Sequence, residues 1–337
     1  MFTSLTAAEI LAVPAFDASR VLPGDEDAIR SRFRDLVRDW HPDRCREPKA
    51  PEVFAHLVKL RDAALAGGPK ASVRTFLGKA GKSFEMSYLK ASRFDAGEIL
   101  VGRGSVAYLV EPDFADLVAR AEATAAPRFA NDRMRKEMER FLPSLLRREP
   151  VSEGEVLVYG RTPDQILLRD LLDSAGPVEP VHAAWLVSGL LNVACWLSWA
   201  GLCHGAISPE TVLVSPKHHS VALTGPFLYA VAIGRRPEAL PERTLSTLPR
   251  LALAGQAVDG TVDLDLVRAT VREALGDPAG VRISLRKDVP TAFATWLAMP
   301  PSKDARQDYA SWERARESSF GPRRFVEMGV RPEAVYG

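Results

Sequence analysis

The chain has 337 residues, a formal net charge of +1, 46% hydrophobic and 26% charged residues, which is the composition of an ordinary globular protein of two or three domains. This near-neutral balance argues against nucleic acid as the main partner, because phosphate binding favours a basic surplus. Cys45, Cys195 and Cys203 show no paired spacing, so we expect a reducing compartment without a disulfide framework. No basic segment followed by an apolar core opens the chain, so we predict no signal peptide and a cytoplasmic location.

The first elements predicted are helices. Thr6 and Glu9 have the spacing of a capping box at the start of a short helix over Thr6–Leu11. A longer helix follows over Asp25–Trp40, and its apolar stripe consists of Ile29, Phe33, Leu36, Val37 and Trp40. Pro42 ends this helix, and a second apolar-striped helix is predicted over Glu52–Leu65.

Three arginines recur at helical spacing on the longer helix: Arg30, Arg34 and Arg38. Like charges at this spacing repel one another, which is a mild cost unless an acidic surface meets them. The arginines are therefore either a solvated helix face or a landing site for an acidic partner.

Two antiparallel helices joined by His41-Pro42-Asp43, with Trp40 before the tripeptide and an arginine ridge on the first helix, resemble the J domain of DnaJ-like co-chaperones. The resemblance implies that His41, Pro42 and Asp43 stimulate the ATPase of a DnaK-type chaperone. It also implies that Arg30, Arg34 and Arg38 steer the docking of that partner.

The next part of the chain is predicted to be mostly strands. Residues 69–83 are rich in Gly, Lys and Ala and are predicted to be a linker, with a short helix around Val73–Leu77. Strands are predicted at Phe84–Leu89, Ile99–Val101, Val106–Val110, Leu117–Ala119 and Val156–Tyr159.

The remainder is predicted to be mainly helical. Ala183–Cys203 carries no charge and is long enough to span a bilayer, but we favour a helix buried in a large lobe and predict no membrane association. Further helices are predicted at Leu167–Leu172, Asp263–Leu275, Pro290–Leu297 and Tyr309–Ser319.

Between these helices, His204–Phe227 predicts a loop followed by two apolar strands, Thr211–Val214 and Val221–Leu223. This layout resembles the catalytic centre of protein kinases, whose loop His-Arg-Asp-Leu-x-x-x-Asn precedes Asp-Phe-Gly. His204 matches the family's histidine. Ala206 stands at the position of the catalytic aspartate, and Thr211 at that of the metal-binding asparagine. The second aspartate falls on Thr224 or Gly225. The resemblance therefore implies a kinase-like fold without the carboxylates of phosphoryl transfer.

Two further positions follow from this resemblance. The turn with Gly102 and Gly104 is similar to a kinase glycine-rich loop, although a glycine-containing hairpin explains it equally well. Arg120 falls at the position of the strand lysine and Glu137 at that of its helix glutamate, which implies a structural Arg–Glu pair.

We therefore expect a multi-domain chain, an all-α J domain followed by an α+β protein-kinase-like bilobal domain. The expected parts are a J domain at 1–68, a linker at 69–83, a kinase-like N-lobe at 84–158 and a degenerate C-lobe at 159–337. The whole resembles a bacterial and phage group of J-domain proteins with a kinase-like half.

The function implied is that of a non-enzymatic adaptor. It would recruit a DnaK-type chaperone and bind an unidentified client or assembly partner, without a cofactor or a metal. The alternative is an atypical phosphotransferase that uses Glu210 or Glu137, or a fold that binds ATP without turnover.

Overall fold

A computed structural model describes residues 5–13, 18, 20–23, 26–65, 71–79, 81–124, 128–142, 144–252 and 256–336. Asp25, the first residue of the longer predicted helix, lies outside these residues. The helices are α1 (Ala7–Leu11), α2 (Glu26–Trp40), α3 (Ala50–Leu65), α4 (Ala115–Thr124), α5 (Asp132–Met138), α6 (Leu168–Ala175), α7 (Pro180–Trp199), α8 (Glu242–Thr247), α9 (Val262–Ala274), α10 (Thr291–Ala298), α11 (Ala305–Phe320) and α12 (Pro332–Tyr336).

The strands are β1 (Ser72–Leu77), β2 (Ser83–Tyr88), β3 (Lys90–Phe94), β4 (Gly97–Val101), β5 (Ser105–Val110), β6 (Leu145–Val151), β7 (Gly154–Gly160), β8 (Ile166–Leu167), β9 (Leu202–Cys203), β10 (Val212–Ser215), β11 (Ser220–Leu223) and β12 (Val231–Ala232). All the strand pairs described are antiparallel.

The N-terminal helices pack around a core of their own. The predicted capping box forms, because the Glu9 backbone N–H donates to Thr6 Oγ1 (3.3 Å) and Thr6 N–H donates to Glu9 Oε2 (2.8 Å). Ile29 and Leu36 of α2 are buried in the same cluster as apolar side chains of α3: Val53, Leu57 and Leu60. The period of the apolar residues thus fixes which face of α2 is buried and leaves the arginine face outward.

A five-stranded sheet of order β3-β4-β5-β7-β6 occupies the middle of the chain. Side chains alternate across a strand, so Ile99 and Tyr108 join the main core while Leu100 and Leu109 face the other way. The β1–β2 hairpin covers that second face with Phe76, which is fully buried.

Two local predictions about this part of the chain are wrong. The predicted linker contains β1, because Phe76 finds a hydrophobic cluster to fill, and its short helix at Val73–Leu77 is instead a strand. The predicted strand at Leu117–Ala119 lies inside α4, where Leu117 and Val118 pack into a further cluster. Both errors concern short apolar runs, for which periodicity does not separate helix from strand.

The C-terminal part is built around α7. Among the described residues, α7 is the one helix with the length and composition to cross a membrane, and 61% of its apolar window is buried inside the fold. It packs against α9, α11 and β11, and Gly189 allows the closest approach because a Cβ there would lie 2.6 Å from Val221 Cγ2. This packing supports its interpretation as a core helix. The other helices and strands predicted here lie within a few residues of their expected bounds.

Candidate functional site

The His-Pro-Asp turn lies at the surface between α2 and α3. The Asp43 backbone N–H donates to His41 Nδ1 at 3.2 Å, and the backbone N–H groups of Arg44 and Cys45 donate to the His41 carbonyl. The His41 ring packs edge-on against Phe54 of α3, with ring centroids 5.4 Å apart. The turn is therefore held from within, while the Asp43 side chain is 86% exposed.

The arginines predicted to form a ridge are Arg30, Arg34 and Arg38, and all three are exposed on α2. Spacing of four residues puts them on one helix face, in line with the turn that follows Trp40. Asp35 and Asp39 are also exposed on this helix, so the positive field is interrupted by acidic side chains.

The loop after β9 begins with a second histidine, which is buried. His204 is 2% exposed, and Ala206 N–H donates to His204 Nδ1 at 3.3 Å. The backbone N–H groups of His204 and Gly205 both donate to the carboxylate of Asp263, at 2.8 and 2.9 Å. Burial lowers the pKa of His204 to about 3, so its ring is neutral at physiological pH.

Asp263, in the first turn of α9, was missed as a site residue because it lies some sixty positions away along the chain. Burial raises the pKa of Asp263 to about 6, even though the two backbone donors favour the charged form. No local sequence pattern connects it to His204. Only the packing of α9 under the loop brings the two together.

The positions matched to the kinase loop are held by hydrogen bonds inside the loop. The Thr211 hydroxyl donates to the Ala206 carbonyl (2.7 Å) and accepts from Ser208 N–H (3.0 Å). The Thr224 backbone N–H donates to the Thr211 carbonyl at 2.8 Å, which ties the loop to the strand end. These side chains offer hydroxyl and methyl groups, whereas Mg²⁺ with a nucleotide needs carboxylate ligands.

Tyr108 fills the space next to Gly225. Gly225 has φ +94°, and a Cβ added there would lie 2.8 Å from Tyr108 Cζ. Tyr108 itself is 2% exposed and stacks edge-on with Phe94 and Tyr159. The residues present at this junction of sheet and loop therefore do not fit Mg²⁺ and a nucleotide.

Arg161 holds the glycine turn with two hydrogen bonds, one from its side chain and one from its backbone. Arg161 Nε donates to the Gly102 carbonyl at 2.7 Å, and Arg161 N–H donates to the Gly104 carbonyl at 3.0 Å. The carbonyl groups of Gly102 and Gly104 are thus paired, and the turn joins the antiparallel strands β4 and β5.

Tyr336 packs beside Arg161, the residue that holds the glycine turn. Its ring lies beside Arg161, its hydroxyl donates to Asp170 Oδ2 (3.0 Å), and that hydroxyl accepts from Leu167 N–H (3.0 Å). Lys90 of β3 completes the group with an ion pair to Asp170 Oδ1 (2.8 Å). The sheet and the helical lobe are joined here by side chains that sequence analysis did not connect.

The expected pair of Arg120 and Glu137 does not form. Arg120 lies on α4 and pairs with Glu238, whereas Glu137 lies on α5 and pairs with Arg133 at 3.0 Å. The prediction placed Arg120 on a strand next to α5, and that strand is part of a helix. Lys90 of the sheet instead forms an ion pair with Asp170 of α6.

Glu210 lies in a cleft of about 410 Å³ beside the loop, which we call the loop cleft. Burial alone would raise the pKa of Glu210, but the guanidinium groups of Arg243 and Arg169 hold it below its ordinary value. Arg169 is 2.7 Å from Glu210 Oε1, and Arg243 is 3.5 Å from it. Glu210 is therefore a fixed anion within an arginine cluster and a poor proton acceptor at neutral pH.

Within the described residues, no cluster of three or more His, Cys, Asp and Glu side chains is arranged to hold a metal ion. No known protein-family profile matches the sequence, and no curated protein matches it either. The arguments for function therefore depend on the residues and contacts above.

Proposed function

We propose that this protein is an adaptor that recruits a DnaK-type chaperone through a J-type helical unit and binds a second protein through a kinase-like, non-catalytic remainder. The N-terminal helices α1 to α3 would form the J-type unit, with its active turn at His41, Pro42 and Asp43. The remaining chain would form the kinase-like part. We place both in the cytoplasm, without nucleic acid or membrane as a partner.

The observation that carries this proposal is the presentation of Asp43. Its carboxylate is 86% exposed, yet the turn beneath it is fixed by His41 Nδ1 and by the packing of the His41 ring on Phe54. The exposed carboxylate and the exposed arginines at 34 and 38 make no contact with the hydrophobic core described for this unit. They suit a polar partner surface that needs one acidic group and a basic stripe at defined positions.

The contacts around the second histidine support a non-catalytic remainder. Ala206, Thr211 and Thr224 offer no carboxylate for metal or proton, and Glu210 is an anion paired with Arg169 and Arg243. Tyr108 packs against Gly225, and the Tyr336 hydroxyl donates to Asp170, so large side chains fill the contacts on this side of the sheet. The alternative phosphotransferase also lacks support from Glu137, which is exposed and paired with Arg133.

The test is single-turnover ATP hydrolysis by a bacterial DnaK-type chaperone, measured with the full chain and with its Asp43→Asn variant. We expect the native chain to raise the hydrolysis rate at least about ten-fold and the variant to lose nearly all of this stimulation. The change removes a single charge from an exposed side chain, so the fold stays intact.

Glu47→Gln is the matched control, because Glu47 is an exposed acidic residue in the same inter-helix segment. It should stimulate as the native chain does. Absence of stimulation by the folded native chain, or equal stimulation by the native chain and Asp43→Asn, contradicts the proposal.

A further inference from the structure

A second cleft, of about 740 Å³, opens on the helical lobe and shares no lining residue with the loop cleft. Its walls come from the N-terminal half of α7, the β10–β11 turn, the end of α11 and residues 322–326 after it. We call it the arginine–aromatic cleft. Its volume falls within the range of small-molecule sites in proteins.

One wall of this cleft is a stack of three flat rings. His219 lies parallel to Trp185, with centroids 5.2 Å apart and planes 4° apart, and parallel to Phe325 on its other side, at 4.2 Å and 14°. His219 adopts φ +48°, in the left-handed region that disfavours most side chains. Phe325 remains 63% exposed, so the outer face of the stack is open.

The cleft is also positively charged. Four arginines line it, Arg140, Arg316, Arg323 and Arg324, and none of its described lining residues is acidic. Glu313, outside the lining, pairs with Arg323 at 2.7 Å and with Arg316 at 3.5 Å. Arg140 and Arg324 are exposed, and neither has a carboxylate partner among the ion pairs of the described chain.

Several lining side chains also hold a buried polar atom that has no hydrogen-bond partner in the described part of the chain. They are Trp185 Nε1, His219 Nε2, Arg316 Nε and Ser319 Oγ. Buried polar groups are rarely left unpaired, because such a group loses its hydrogen bonds to water and gains none in the protein. Their concentration in one basic cleft indicates a missing acceptor.

We propose that the arginine–aromatic cleft binds a small molecule that carries a planar ring and a phosphate group. The ring extends the stack at Phe325, where an offset parallel contact is favourable. The phosphate binds to Arg324 and Arg140, because guanidinium groups match the oxygens of a dianion with paired hydrogen bonds. This proposal is independent of the adaptor function.

The test is calorimetric titration of the full chain with AMP, adenosine and inorganic phosphate as three separate probes. We expect AMP to bind in the micromolar to low millimolar range, and adenosine and phosphate each to bind at least about ten-fold more weakly. Arg324→Ala and Phe325→Ala should each weaken AMP binding about ten-fold or more. Both side chains are exposed, so both variants should fold, which circular dichroism checks.

Arg314→Ala is the control, because Arg314 is exposed on α11 but does not line the cleft. It should leave AMP affinity unchanged.

Three outcomes would overturn the proposal. One is the absence of AMP binding at millimolar concentration. Another is binding that survives both Arg324→Ala and Phe325→Ala, which would put the ligand elsewhere, including the junction beside Tyr108. The third is phosphate binding as tightly as AMP, which would remove the role of the ring.

Discussion

Two turns in this molecule share one hydrogen-bonding pattern, but one turn is exposed and the other is buried. In each, a histidine Nδ1 accepts the backbone N–H of the residue two positions on, His41 from Asp43 at 3.2 Å and His204 from Ala206 at 3.3 Å. The first turn lies at the surface and ends in a carboxylate that is 86% exposed. The second is buried and ends in a methyl group.

The two turns differ in the groups that pair with their backbone N–H groups. The surface turn is held by His41, through hydrogen bonds to its ring and carbonyl and through the contact of its ring with Phe54, and its acidic side chain is mostly exposed. The buried turn takes a carboxylate from a distant helix, Asp263, to pair two of its backbone N–H groups. Burial thus decides what each histidine turn needs. Buried N–H groups must be paired within the protein, whereas exposed ones are paired by water, so the surface turn can leave its carboxylate accessible.

The largest expected effect is on stability, and it comes from removing the carboxylate that belongs to each of the two histidine turns. Asp263→Ala leaves two buried N–H groups without an acceptor and should lower the free energy of unfolding by about 2–4 kcal/mol. Asp43→Ala, at an exposed carboxylate, should change it by less than about 0.5 kcal/mol. Urea unfolding followed by circular dichroism measures both, and equal effects would contradict the comparison.

A smaller effect concerns pH. Burial lowers the pKa of His204 to about 3, so folding favours the neutral ring, and its contribution to stability is full above about pH 6.5 and is lost as pH falls toward 3. Asp263 acts in the opposite sense, because its raised pKa of about 6 favours the protonated form and adds stability as pH falls from 6 to 4.

The effect of His204 is therefore measured as a difference between the native chain and His204→Asn, which keeps an acceptor for the Ala206 N–H. Between pH 7 and pH 5 the native chain should lose about 1–2 kcal/mol more than the variant. Parallel pH profiles for the native chain and His204→Asn would contradict the buried-histidine argument.

The smallest expected effect concerns the arginines beside the surface turn, and it depends on the proposed adaptor function. Arg38→Glu should raise the concentration needed for half-maximal chaperone stimulation several-fold at low salt, because it reverses one charge of the docking face, and the effect should shrink as salt is added. Lys59→Glu makes the same charge change at an exposed position on α3 and should have little effect. Equal shifts from both variants would point to net charge alone.

The sequence by itself determined most of the local structure. Periodicity and capping residues predicted α2, α3, α7, α9, α10 and α11 within a few residues, because an apolar stripe and a cap act within one or two turns of helix. It also identified the His41-Pro42-Asp43 turn, whose geometry depends on adjacent residues.

Short apolar runs were decided by tertiary structure. Phe76 lies in a strand within the predicted linker because its side chain fills a hydrophobic cluster. Leu117 lies in a helix, which places it with Val118 in a cluster that includes Val110 and Leu157 of the sheet. The failure of the Arg120–Glu137 pair follows from that second error.

Contacts between distant parts of the chain were likewise fixed only by the tertiary structure. Asp263 under His204, Tyr108 against Gly225, Tyr336 against Asp170 and the ring stack at His219 each join residues from separate elements. Such pairs leave no mark at any spacing in one sequence, because the energy that forms them comes from burial of surfaces that meet only after the chain has folded.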